Sequence, residues 1–379
     1  MILREQYLKQ LNEFGKIFPI CGVVGPRQCG KTTLALQYAE QFEICHHFDL
    51  EDPQDFSRFQ DPKLILENLN GLIIIDEVQR MPSIFPYLRF HADRYPETRI
   101  LILGSASPDL LRQSSESLAG RIGYIELSPF HMAEIGFSNQ LWNRGGFPKA
   151  YLSDSDHIAK IWLKQYIATF LERDLTIMGF NVDSNFMRKL WIMVAHYHGN
   201  LINYSELGRS LNLSDMTIRK YLNIFEATFM MRLLKPWHEN IAKRQVKNPK
   251  VYLRNSGIFH NLLGIHYDDL ALHPKVGASF EGFALEQIIK FYQFEKEECY
   301  FWRTHDGAEL DLLVYKNGQK IGFEFKYSEK ITVSKSMRIA LNDLQLERLT
   351  IITPGDKEYI LDKNIYVKGL KTFVAHTSS

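Results

Sequence analysis

Between residues 17 and 127, short apolar runs alternate with stretches of helical periodicity. The runs occupy 17–24, 42–48, 71–75, 99–103 and 124–127. Strands separated by helices predict a parallel sheet covered on both faces. After Pro129 the strand signal stops. Residues 158–178 then predict an amphipathic helix, following a Gly145-Gly146-Phe147-Pro148 turn, and so a small helical lid. Residues 203–229 predict a helix-turn-helix. Ser205 is the expected cap of its first helix, Asn212-Leu213 the turn and Ser214 the start of the second, with Ile218, Tyr221, Leu222 and Phe225 as the buried stripe. From about residue 249 the pattern becomes mixed α/β, with a helix at 280–291 and a hairpin within 300–327.

Length and composition set the class. With 379 residues, 45% hydrophobic and 23% charged, the chain predicts a globular protein of two to four domains. Lys plus Arg number 45 against 44 Asp plus Glu, so any basic surface has to be local. Cys21, Cys29, Cys45 and Cys299 have neither metal-ligand spacing nor a disulfide framework, which leads us to expect a cytoplasmic setting. Arg4, Glu5, Lys9 and Glu13 interrupt the N-terminus and no apolar run reaches the ~18 residues of a span, so neither signal peptide nor membrane segment is expected.

The strongest motif runs from Gly25 through Pro26, Arg27, Gln28, Cys29, Gly30 and Lys31 to Thr32, followed by Thr33. It fits GxxxxGK[ST] and stands between an apolar strand and a helix, where a phosphate loop belongs. Loop amides and the helix N-terminus can wrap phosphates, and the two glycines permit close backbone approach. Lys31 would neutralise the β and γ phosphates of ATP, and Thr32 would bind Mg²⁺. The apolar run ending in Asp76-Glu77 supplies a second metal ligand in Asp76 and a general base in Glu77. Ser105, after the run 99–103, is a candidate γ-phosphate sensor. Arg121 is a candidate to reach the γ-phosphate of a neighbouring subunit, which implies a homo-oligomer. Cys29 lies near a helix N-terminus that favours thiolate, although its plain reading, which we prefer, is an inert loop residue.

At these residues the chain resembles a prokaryotic family of AAA+-like ATPases. The resemblance is carried by GPRQCGKTT, IIIDEVQ, ILGSAS, SLAGR, GGFP and YIATFLERDL and covers essentially the whole chain. It implies an α/β P-loop ATPase core at 1–135, a helical lid at 136–182, a winged helix-turn-helix at 183–248, and at 249–379 an α/β domain related to the PD-(D/E)xK (restriction-endonuclease-like) nuclease fold. Arg173 falls in the family motif LERDL; a lid salt bridge is its plain reading. Asn255 stands where relatives usually carry aspartate, which argues against a metal role at that turn. Cys29 stands where relatives more often have valine.

Asn317-Gly318 between two alternating segments is a strong hairpin signal. That turn sets Asp311 opposite Glu324 and Glu309 opposite Lys326 on one face, with Leu310, Leu312, Ile321, Phe323 and Phe325 on the other. Opposed carboxylates repel unless a cation lies between them. Asp311 and Glu324 are therefore candidate Mg²⁺ ligands, Lys326 a candidate to activate water for phosphodiester cleavage, and Glu286 a candidate to complete the site. The plain alternative is an exposed strand face on which Glu309 pairs with Lys326.

Thr217, Arg219 and Lys220 on the second helix of the helix-turn-helix are candidate DNA contacts. Between 232 and 254, seven basic residues (Arg232, Lys235, Lys243, Arg244, Lys247, Lys250 and Arg254) oppose Glu239 alone, a local patch suited to phosphate contacts. Two functions fit: an ATP-driven enzyme engaging DNA, with a nuclease-like domain, or a nucleotide-dependent switch or scaffold whose C-terminal domain does not cleave.

Overall fold

The structure is a computed structural model and describes residues 2–105, 118–238, 246–328 and 330–373. Lys243 and Arg244 of the expected basic patch lie outside the described residues. The first sheet contains β1 Ile20–Val24, β2 Cys45–Asp49, β3 Leu72–Asp76, β4 Arg99–Gly104 and β5 Ile122–Glu126 in the order β2-β3-β4-β1-β5. Every neighbouring pair is parallel. Successive side chains leave opposite faces of a strand. Ile20, Val24, Ile73, Ile75, Ile100 and Ile102 accordingly pack into one core and Cys21, Val23, Leu72, Ile74, Leu101 and Leu103 into another. Burial on both faces explains the unbroken apolar runs. The first run began three residues early: Ile17 ends the helix Glu5–Ile17, and β1 opens at Ile20.

The expected lid helix forms as Asp156–Thr169, capped by Ser155, which accepts from Ile158 N–H. It continues through a π-helical turn, Phe170–Asp174, into Leu175–Ile177. Beyond it, the helices Ser184–His196, Tyr204–Leu211 and Asp215–Ala227 accompany β6 Asn200–Leu201, β7 Met231–Leu234 and β8 Lys250–Leu253, an antiparallel sheet ordered β6-β8-β7. Ser205 is not the cap. Asn203 accepts from Glu206 N–H, while the Ser205 hydroxyl donates to Asp215 at 2.7 Å and ties the two helices together. Ser214 caps the second helix as expected, and Ile218, Leu222 and Phe225 are buried.

The C-terminal unit begins with the helix Val276–Phe291. Its sheet comprises β9 Cys299–Arg303, β10 Glu309–Lys316, β11 Gln319–Phe325, β12 Arg348–Thr353, β13 Glu358–Asp362 and β14 Ile365–Gly369, ordered β13-β14-β12-β11-β10-β9, with the helix Lys335–Leu344 between β11 and β12. Asn317 and Gly318 both adopt positive φ, the conformation this tight turn demands. The β10–β11 register (Leu312 with Phe323, Lys316 with Gln319) is the one the turn predicts. A shift in the β9–β10 pairing between Leu310 and Leu313 breaks the alternation. Leu310 therefore packs with Leu313 against Trp302 and Leu349, while Leu312, Phe323 and Phe325 join the large core shared with the central helices.

Candidate nucleotide site and the carboxylate cluster

β1 delivers the chain to the carboxyl edge of its sheet between β4 and β5, where ligands bind in open α/β folds. A Cβ on Gly25 would lie 2.2 Å from Leu127 O, so only glycine passes here. Gly30 has φ +100° and precedes the helix Lys31–Ala39. The Lys31 ammonium is buried and donates to Gly25 O, Pro26 O and Ser105 Oγ at 3.2, 3.1 and 3.0 Å. Thr32 Oγ1 donates to Asp76 Oδ2 at 2.5 Å. Ser105 Oγ also reaches both Glu77 carboxylate oxygens at 3.2 and 3.3 Å, and Gln79 donates to Glu77. Burial raises the Glu77 carboxyl, against the opposing charge of Lys31. The structure thus brings together Lys31, Thr32, Asp76, Glu77 and Ser105, drawn from three strand ends. Thr32 and Asp76 present adjacent hard oxygens, a donor set that fits Mg²⁺.

Other loop residues have different surroundings. The Arg27 guanidinium donates to Asp174 at 2.7 Å and Glu51 at 2.5 Å, close enough to Glu77 for their charges to interact. Cys29 is fully buried beside Leu127 O, and burial raises its thiol, which fits the inert reading rather than a thiolate. Arg4 was not anticipated. Its buried guanidinium supports the loop from beneath, donating to Cys29 O at 3.1 Å and Ser128 O at 2.9 Å while paired with Glu134. Arg121 precedes β5 at the opposite edge of the sheet, its backbone paired with Ile20, and its side chain forks onto Asp93 at 2.5 and 3.0 Å. Within the chain it does not join the loop.

The hairpin carboxylates form a second constellation. Asp311, Glu324 and Lys326 come together there, but Glu286 does not. It is held by Arg232 and Arg254, which overcome burial and bring it down to about 2. Glu281, one and a half turns earlier on the same helix, is the residue that faces the cluster. Nor does Glu309 pair with Lys326. Glu309 contacts Lys250 and Arg303, and Lys326 pairs with Glu324 at 2.9 Å.

Lys250 occupies the centre of this group. Its side chain, 2% exposed, leaves β8 and places Nζ 3.2 Å from Asp311, 3.5 Å from Glu281 and against Glu309. Burial and the Asp311 charge raise Glu281 to about 7 and Glu324 to about 8. Asp311 is lowered: burial works against its charge, but Lys250 and Lys326 prevail. The Lys250 ammonium already serves as the cation among Asp311, Glu281 and Glu309, an arrangement that does not fit a resident divalent ion beside it. Consistently, no group of three or more His, Cys, Asp or Glu among the described residues is arranged to hold a metal.

The basic patch is largely consumed in the same way. Arg232 and Arg254 pair with Glu286, Arg254 also with Glu126 at 2.5 Å, and Lys250 lies in the cluster. Of the patch, Lys235 and Lys247 are exposed. Arg219 and Lys220 are exposed as expected, with Arg219 stacked 3.6 Å from the Tyr204 ring centroid. Thr217 is half-buried and its hydroxyl meets Ser214. Asn255 caps the helix Ser256–Leu262 by accepting from Ile258 N–H at 3.0 Å, a task aspartate performs equally.

Lys250 and Glu281 were the main omissions. Lys250 carried a signal, since a lysine inside the wholly buried strand Lys250-Val251-Tyr252-Leu253 demands an anionic partner. Glu281 and Glu286 lie on one apolar helix, and only its packing chooses between them.

Among the described residues no helix is long and apolar enough to cross a membrane. Residues 18–136 match a family model described as an AAA domain, and 137–269 and 276–373 match two domains of unknown function, DUF8612 and DUF4143. The "Uncharacterized protein" Rv2008c of Mycobacterium tuberculosis is 46% identical over 352 residues, covering 92% of this chain and 79% of the relative, and Mb2031c of Mycobacterium bovis matches equally. A Walker-type ATPase of Pyrococcus abyssi is similar at 13% identity with a TM-score of 0.48, over 69% of this chain and 96% of that one. With its parallel five-stranded sheet and phosphate-loop motif the first unit is an α/β P-loop NTPase domain, and the chain belongs to the family of these mycobacterial proteins, an AAA domain followed by DUF8612 and DUF4143.

Proposed function

We propose that this chain binds and hydrolyses ATP with Mg²⁺ and uses the nucleotide state to control engagement of nucleic acid. The observation that carries the reading is the meeting of Lys31, Ser105 and Glu77 within hydrogen-bond reach beside the Thr32–Asp76 pair. Loop amides and the Lys31 ammonium bind the triphosphate. Thr32 and Asp76 would hold Mg²⁺, which neutralises phosphate charge. Glu77, anchored by Ser105 and Gln79, orients the attacking water. Arg121 is the candidate for a contribution from a neighbouring copy.

Three helices with an antiparallel β6-β8-β7 sheet suit a winged helix, and its second helix offers Arg219 and Lys220 outward. With Arg232 and Lys250 buried and Arg254 half-buried in ion pairs, contact with a phosphate backbone rests on few cations, so binding should be weak and only moderately salt-dependent. Lys31→Ala should lose nucleotide binding, and Glu77→Gln should retain ATP without turnover. Equal phosphate release by both variants and the parent would refute the assignment. Arg219→Ala with Lys220→Ala should weaken binding of duplex DNA; undiminished binding would remove the nucleic-acid face.

The order β9, β10, β11, helix, β12 behind a leading helix suits a PD-(D/E)xK-like domain, in which Asp311, Glu324 and Lys326 form the polar set with Glu281 in the place expected of Glu286. One observation favours the reading in which that domain does not cleave: the Lys250 ammonium lies 3.2 Å from Asp311, one of the two expected metal ligands, and Lys326 pairs with the other, Glu324. Manganese paramagnetic resonance on the Lys31→Ala protein tests this. No bound Mn²⁺ is expected, whereas an ion lost on Asp311→Asn, together with metal-dependent plasmid cutting, would restore the nuclease.

A further inference from the structure

The motif YIATFLERDL, whose role the sequence leaves open, reaches the phosphate loop at two points. Tyr166 Oη donates to Arg27 O at 3.4 Å, and eight residues on, two helical turns along the same face, Asp174 accepts from the Arg27 guanidinium at 2.7 Å. Arg173, the arginine of the motif, is exposed, so the contact belongs to its neighbour. Asp174 ends the π-helical turn Phe170–Asp174, and Phe170, Leu171 and Leu175 fix that turn in the central core. A π-turn inserts one residue into a helix and re-aims the side chains beyond it; here it turns Asp174 onto the loop while Phe170 and Leu171 stay buried. The far side of the Arg27 guanidinium is taken by Glu51, which lies just past the end of β2.

We infer that Asp174 and Tyr166 are positioning residues for the phosphate loop, acting through Arg27. The inference rests on the reading of that loop as a nucleotide site. Arg27 sits between Pro26 and Gln28, the latter in the left-handed region at φ 61°, and its amide belongs to the segment that must face the phosphates. Holding its carbonyl from Tyr166 and its side chain from Asp174 and Glu51 fixes the peptide planes on either side, so loop amides converge before nucleotide arrives. Asp174 is 5% exposed in its side chain and Arg27 14%. Because burial raises the Asp174 carboxyl and Arg27 opposes that rise, neither partner is well accommodated without the other. The clasp also gives the central helices a direct mechanical link to loop occupancy.

The test is a double-mutant cycle on the full chain, reading the dissociation constant of a fluorescent ATP analogue with Mg²⁺, and KM and kcat. Asp174→Asn and Arg27→Gln should each weaken binding about tenfold, the size expected when preorganisation rather than a phosphate contact is lost. The rise should be in KM, with kcat nearly unchanged. Tyr166→Phe should show the same pattern more weakly. The decisive arm is the double variant: if Asp174 acts through Arg27, Asp174→Asn adds nothing in the Arg27→Gln background. Additive losses, or unchanged or tighter binding in Asp174→Asn, overturn the inference. A parent protein that binds no nucleotide, as Lys31→Ala should, defeats the nucleotide reading instead; a binding-competent parent with an additive cycle defeats only the clasp.

Discussion

Lys250→Met isolates the charge at the centre of the C-terminal cluster. Methionine keeps most of the unbranched stem, so packing alone should cost less than about 1.5 kcal/mol. The substitution removes an ammonium 3.2 Å from Asp311, 3.5 Å from Glu281 and in contact with Glu309. Removing one partner from a buried ionic group costs about 3–5 kcal/mol. That figure applies where the carboxylates are charged, so the loss depends on pH. In the parent protein Glu281 and Glu324 titrate near 7 and 8, above their ordinary range. A carboxyl with a raised folded pKa binds its proton more tightly in the folded chain. It therefore stabilises the fold below its unfolded pKa and loses that contribution as pH rises through the folded value. Without Lys250 these values climb further and Asp311 loses its depression.

The C-terminal sheet of Lys250→Met should then fall below the parent at both pH values, by less near pH 5, where Glu281 and Glu324 hold their protons and Asp311 carries the charge, and by about 3–5 kcal/mol near pH 8. Hydrogen exchange of the β10 and β11 amides reads this locally, without assuming that the whole chain unfolds as one unit. The faster exchange near pH 8 should amount to about two to three and a half orders of magnitude, beyond the intrinsic pH effect measured on the same peptides unfolded. Equal protection at both pH values, or a loss as large near pH 5 as near pH 8, would refute the placement of Lys250 as the counter-ion.

Burial carries three further expected outcomes. A thiol reagent added to native protein should modify Cys45 alone, since Cys21, Cys29 and Cys299 are buried, and all four in denaturant; rapid native modification of Cys29 would contradict its position. Glu286→Ala strands the buried guanidinium of Arg232, and in part that of Arg254, and should cost about 3–5 kcal/mol in a denaturant titration; a loss near zero would mean the pair is solvated. Asn255→Asp should unfold at the same midpoint as the parent, while Asn255→Ala should cost about 1 kcal/mol through the lost cap, and equal behaviour of the two would remove the capping role.

The candidate nucleotide site was legible as an arrangement because its residues are local. Gly25 to Thr32 is one continuous segment whose glycines, lysine and hydroxyl take their roles from the strand before and the helix after. Asp76-Glu77 and Ser105 needed only the further rule that parallel strands end at a common edge. The hairpin was legible for the same reason, since Asn317-Gly318 sets its own register. The features that escaped were fixed by packing between distant segments. Glu281 and Glu286 are five residues apart on one helix, and nothing within that helix says which meets Asp311. The shifted pairing with β9 moved Leu310 to the other core although the hairpin itself ran as expected.

The basic patch failed for an instructive reason. Charge counted along a chain measures surface potential only if each charge reaches the surface. Arg232, Lys250 and Arg254 lie on or next to the antiparallel strands β7 and β8, and those strands are buried where the central unit meets the C-terminal helix Val276–Phe291 and the hairpin. Arg232 and Lys250 found their carboxylates across that junction, Glu286 for the first and Asp311 and Glu281 for the second, while Arg254 reaches Glu286 there and the exposed Glu126 at the end of β5. Buried pairs of this kind contribute little net stability over apolar packing, yet they penalise any other docking of the two units severely. One consequence binds the two ends of the molecule. Glu126 closes β5, beside the strand that feeds the phosphate loop, and it is held by Arg254 and by Lys290 of the C-terminal helix at 2.5 and 2.9 Å. Glu126 is itself 41% exposed, so displacing it at the loop edge would leave Arg254 and Lys290 one contact short at a modest, salt-sensitive cost, and the charge link between the C-terminal helix and the first sheet is correspondingly weak.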